Sequence, residues 1–112
     1  MVTQTHFPVC PHCQREFVPG TTWFQANFCR LAFLIPIIEQ YPGETAWQLA
    51  QRSGLVYADA SAALAKGRAY NLFLLESEQR DNGGVRYRYR ATVACRPFLE
   101  RVLGTLPWEK IQ

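Results

Sequence analysis

Residues 45–93, TAWQLAQRSGLVYADASAALAKGRAYNLFLLESEQRDNGGVRYRYRATV, decide how the rest of the chain is read. Thr45 offers an N-cap oxygen and Gln48 stands three residues on, the arrangement of a capping box. The helix it opens runs to about Arg52, with Ala46, Leu49 and Ala50 inward. Gly54 supplies a left-handed turn and Leu55 plugs the corner. A further helix, from about Tyr57 to Tyr70, turns Ala60, Ala63, Leu64 and Gly67 inward, and such small residues let neighbouring helices approach closely. Asn71 to Glu78 reads as a strand, Arg80-Asp81-Asn82-Gly83-Gly84 as a hairpin turn, and Val85 to Val93 as the returning strand. There Arg86, Arg88 and Arg90 alternate with Val85, Tyr87 and Tyr89, so the three guanidinium groups share one face.

Upstream, Phe24, Phe28, Leu31, Ile35 and Ile38 recur at helical spacing and predict a helix over Trp23 to Gln40, bent at Pro36, which lacks a backbone donor. Phe33, Leu34, Ile37 and Tyr41 are apolar as well but lie off that stripe. A helix apolar on nearly all sides must be sandwiched or shared, and the expectation is a homodimer through this helix and the C-terminal one. Downstream, Pro97 suits a first helical turn; Phe98, Leu99, Val102 and Leu103 make a short last helix closed by Gly104. The tail to Gln112 is read as irregular.

The run Thr45-Ala46-Trp47-Gln48-Leu49-Ala50, then Gly54-Leu55-Val56, Ala60 and Ala63-Leu64, resembles the second helix, turn and recognition helix of the winged helix-turn-helix regulators of bacteria, archaea and their phages. Leu72, Glu76 and Glu78 are similar to that family's exit into the first wing strand, and Gly83-Gly84-Val85-Arg86-Tyr87-Arg88-Tyr89 to its wing. The resemblance covers about half the chain. It implies an α+β, mainly α fold: a three-helix core with a β-hairpin wing over residues 23–106, an N-terminal arm at 1–22 and a tail at 107–112. It also implies that the third helix enters the major groove of double-stranded DNA and the wing follows the phosphates. The positions carried over are Val56, Tyr57, Ala58, Ser61, Ala62, Lys66 and Arg68 on the helix, with Arg86, Arg88 and Arg90 on the wing. Ala58 and Ala62 offer methyl contact only, and Asp59 would repel phosphate if it faced the duplex. The wing arginines have a second reading, as partners of Glu76 and Glu78 on the adjacent strand.

Cys10-Pro11-His12-Cys13 is a C-x-x-C knuckle able to hold one side of a tetrahedral zinc ion. Cys29 and Cys95 complete a candidate tetrad with Cys10 and Cys13; His6 or His12 is the alternative to Cys95. With no open coordination position implied, the zinc would be structural and would pin the arm to the core.

The 112 residues, 48% hydrophobic and 19% charged, fall in the globular range and suffice for one core. The net charge of +3 is unevenly spread: residues 66–112 hold nine basic and five acidic side chains, residues 1–65 three and four. A basic half of this kind is what phosphate contact needs. The amino terminus lacks the layout of a secretory signal, and the apolar run Leu31 to Ile38 is too short to span a bilayer, so a cytoplasmic protein without a membrane anchor is expected. Two histidines and scattered acids assemble no catalytic constellation, and no enzyme is expected. The expected function is specific or semi-specific binding of double-stranded DNA in transcription regulation. The alternative is a winged-helix module that recruits or inhibits another protein.

Overall fold

The computed structural model describes residues 7–10, 15–19 and 26–103. The helices are α1 (Ala26–Gln40), α2 (Ala46–Ser53), α3 (Tyr57–Ala69) and α4 (Cys95–Leu103), and the strands are β1 (Glu44–Thr45), β2 (Phe73–Gln79) and β3 (Val85–Ala91). The strands form one antiparallel sheet in the order β1-β3-β2. This small, mainly helical α+β layout is consistent with the winged-helix arrangement.

α1 is the centre of the core. Leu31, Leu34, Ile35 and Ile38 are fully buried, each worth about 1.5–3 kcal/mol of apolar transfer. α1 packs on α2, α3 and β3 and also touches α4. Elsewhere Phe17 lies against Phe33, with ring centroids 5.3 Å apart. Phe28, Tyr70 and Phe98 form a three-ring cluster joining α1, the end of α3 and α4. Within one chain these contacts bury Leu34 and partly bury Phe33 and Ile37, while Tyr41 remains exposed. Pro36 is exposed inside a helix assigned as one element, from which it removes one backbone bond. The expected helical residues Trp23 to Gln25 and the closing Gly104 lie outside the described residues.

The capping box forms as expected: the Gln48 amide donates to Thr45 Oγ1 (3.2 Å) and the Thr45 amide to Gln48 Oε1 (2.9 Å). Gly54 closes α2 in the left-handed region at φ 80°. Ser53, buried beside it, donates its hydroxyl to the Ala50 carbonyl and accepts from the Leu55 amide, so its polarity is satisfied.

Two elements differ from the sequence reading. The strand expected from Asn71 begins at Phe73, because α3 ends in a Schellman motif: Asn71 takes φ 61°, its amide bonds Arg68 O (2.9 Å) and the Leu72 amide bonds Gly67 O (3.0 Å), with Leu72 buried. The returning strand ends at Ala91 rather than Val93. Thr92 leaves the ladder by bonding Leu72 O through its amide (2.9 Å) and Asn71 O through its hydroxyl (3.0 Å). The two-residue β1, which pairs Glu44 with Tyr89 and Thr45 with Arg88, is an addition.

The described part of the arm is a small hairpin. Val9 bridges Glu16, the Cys10 amide bonds Arg15 O (2.9 Å) and the Phe17 amide bonds Pro8 O (2.8 Å). Cys10 and Phe17 are buried in the core.

Candidate nucleic-acid interface

α3 is amphipathic by size rather than by polarity. Ala60, Ala63, Leu64 and Gly67 face the core, while Ala58, Ala62, Ala65 and Ala69 are exposed on the other side. Val56 and Tyr57, at its start, and Lys66 and Arg68, in its last turn, are exposed as expected; Ser61 is half-buried. The cations at the C-terminal end complement the helix dipole. Lys66 also leans over the Phe28 ring, 5.2 Å from its centroid, and Arg68 over the Tyr87 ring at 5.9 Å. Asp59 belongs to the first turn of α3, where a negative charge is favourable. Its carboxylate lies 3.6 Å from the guanidinium of Arg30 on α1, both largely shielded. The repulsion feared from the sequence is thereby offset.

The hairpin arginines divide. Arg88 is braced on Glu78 (3.0 Å) and on the Gly43 carbonyl (2.9 Å), and Arg90 on Glu76 (3.2 Å). For these two, the strand-pairing reading describes the geometry. Arg86, opposite Glu78 in the ladder, makes no ion pair among the described residues. On the other face of β3, Tyr89 is buried edge-on against Phe73, with centroids 5.9 Å apart. Burial raises its phenol pKa above the ordinary value.

Between α2, α3 and the hairpin lies an open groove of about 570 Å³ whose walls include Trp47, Gln51, Tyr57, Arg80, Arg86 and Tyr87. Trp47, Gln51 and Arg80 were not singled out from the sequence. The signal was present in α2, since Trp47 and Gln51 stand four apart and off the Ala46-Leu49-Ala50 stripe, a spacing that puts the indole on the outer face.

Cys10, Cys29 and Cys95 are buried, and all belong to the one core cluster. Cys95 Sγ donates to the Leu72 carbonyl at 3.2 Å, and burial pushes its thiol pKa up. Among the described residues no group of three His, Cys, Asp or Glu side chains is placed to hold a metal ion. Cys13, His6 and His12 lie outside them. Among the same residues, no helix is long and apolar enough to cross a membrane.

Compared with known proteins, the chain matches no protein-family model and no curated protein sequence.

Proposed function

We propose that this protein is a winged helix-turn-helix regulator of transcription that binds double-stranded DNA, with α3 in the major groove and the β2–β3 hairpin as its wing. The observation that carries the reading is the outward face of α3. It is smooth with alanine, relieved of Asp59 by Arg30, and carries Lys66 and Arg68 in its last turn, while Arg86 on the hairpin makes no ion pair among the described residues. At 13 residues α3 is about 20 Å long, and a major groove about 12 Å wide admits such a helix. Alanine methyls allow close approach and apolar contact with thymine, so affinity rests mainly on the phosphates and sequence preference is modest.

Each phosphate neutralised steepens the fall of affinity with salt by about 0.9 in the log-log slope. Replacing Lys66, Arg68 and Arg86 together by alanine is therefore expected to flatten the slope by about 2–3 and to weaken binding at low salt. A triple variant that binds duplex as tightly as the parent, with the same slope, sinks the proposal.

One observation favours the alternative of a protein-recruiting module: Arg88 and Arg90 are already occupied by glutamates. That reading predicts no duplex binding at near-physiological salt, and the same titration separates the two.

The arm carries a subsidiary proposal. Its described residues bury Cys10 in the same core cluster as Cys29 and Cys95, which supports a structural zinc held by Cys10, Cys13, Cys29 and Cys95, with His6 or His12 as the alternative to Cys95. Elemental analysis of reduced, chelator-free protein is expected to find one zinc per chain; finding none overturns this part.

A further inference from the structure

We infer that the groove between α2, α3 and the hairpin receives one unpaired nucleobase of the bound DNA, stacked against Trp47 and Tyr57, with its phosphates on Arg80 and Arg86. This rests on the DNA-binding reading above and adds to it the form of DNA preferred: a duplex carrying an unpaired or displaced nucleotide.

The aromatic walls are the first support. Trp47, Tyr57 and Tyr87 are 60%, 53% and 45% exposed, large rings left in water around a single hollow. Neither Trp47 nor Tyr57 packs on another ring among the described residues. Their faces are therefore open to a planar guest, and every base has a π-face to offer.

Charge is the second support. Among the described residues no acidic side chain lines the groove, whereas Arg80 and Arg86 do, and neither forms an ion pair there. Glu78 and Asp81 stand with the same two arginines around a separate hollow at the hairpin tip. Rings combined with free cations, in a hollow without anions, match a guest that is planar and carries phosphate. A purely apolar protein segment would leave both guanidinium groups unanswered. The volume also lies within the usual range for small-molecule sites, about 300–1,000 Å³, enough for a base and its sugar.

Recognition of a base edge falls to Gln51. Its amide makes no hydrogen bond among the described residues, while the neighbouring Gln48 is already committed to the capping box. Extruding a base from an intact duplex costs unstacking and unpairing, which a bulged or gapped duplex does not demand. Preference for such DNA follows.

The test compares fluorescence anisotropy on two labelled probes, an intact duplex and the same duplex with a two-thymine bulge, at near-physiological salt. The parent is expected to bind the bulged probe about tenfold more tightly, the size of one stacking contact. Trp47→Ala, an exposed position in a helix that alanine favours, is expected to abolish that advantage, and Trp47→Phe to keep most of it. Equal affinity of the parent for the two probes overturns the inference and leaves duplex binding intact. An advantage that survives Trp47→Ala overturns it as well. Binding to neither probe defeats the DNA reading itself.

Discussion

At Gly67 the absence of one methyl group sets the distance between a helix and a sheet. A Cβ placed there would overlap the ring of Phe73 and come within 3.0 Å of Leu31 Cδ2. Helix propensity favours alanine over glycine by about 1 kcal/mol, whereas overpacking a filled core costs about 1–3 kcal/mol. Phe73 is held on another side by Tyr89, so it has little room to yield and the second effect wins. Gly67→Ala is expected to destabilise the protein by about 1–2 kcal/mol in a urea titration. A stabilised variant would show that Phe73 can move aside. The place of Gly67 among the inward residues was legible in the sequence from Ala60, Ala63 and Leu64. Its neighbour was not, because Phe73 belongs to a different element. Asp59 teaches the same point more sharply: only the packing of α1 on α3 reveals that Arg30 takes its charge.

Elements whose signals are local came through from sequence almost unchanged. The capping box of α2, the Gly54 turn and the Arg80–Gly84 hairpin turn each depend on residues within a few positions of one another. Replacing Thr45 by alanine removes the oxygen that receives the Gln48 amide and is expected to lower stability by about 1 kcal/mol, read as a shift of the urea midpoint without a change of slope. An unchanged midpoint would mean that α2 is held by packing alone. Where sequence reading failed, a partner distant in the chain decided the outcome. Asn71 and Leu72 resemble strand residues, yet the carbonyls of Arg68 and Gly67 draw them into a helix stop. β1 has only two residues and no alternation to read; it exists because β3 offers its free edge. The arginine stripe was given one face, and pairing with Glu76 and Glu78 was one of its two readings; which arginines pair was not legible, since that depends on the register that sets the two glutamates diagonally across the ladder.

Over the whole molecule, the N-terminal arm behaves as part of the core. Phe17 is 1% exposed and packs on Phe33, one of the apolar residues of α1 that lie off its first stripe. Removing a buried aromatic ring costs about 3–5 kcal/mol. Phe17→Ala is accordingly expected to destabilise the protein by about 3 kcal/mol and to lower the temperature of a single thermal transition. A change below about 0.5 kcal/mol, the usual size of a surface substitution, would show the arm to be detachable. Within the candidate interface, the exposed ends of α3 and Arg86 were legible as surface from helical and strand periodicity. The groove was not, because it arises only when α2 and the hairpin are brought side by side. That juxtaposition runs through Thr45, whose backbone pairs with Arg88 while its hydroxyl starts α2. The ribbon and the helix-turn-helix consequently share a fulcrum: torque applied at the ribbon's tip is delivered to the first turn of α2, beside Trp47, and the two halves of the surface must tilt together.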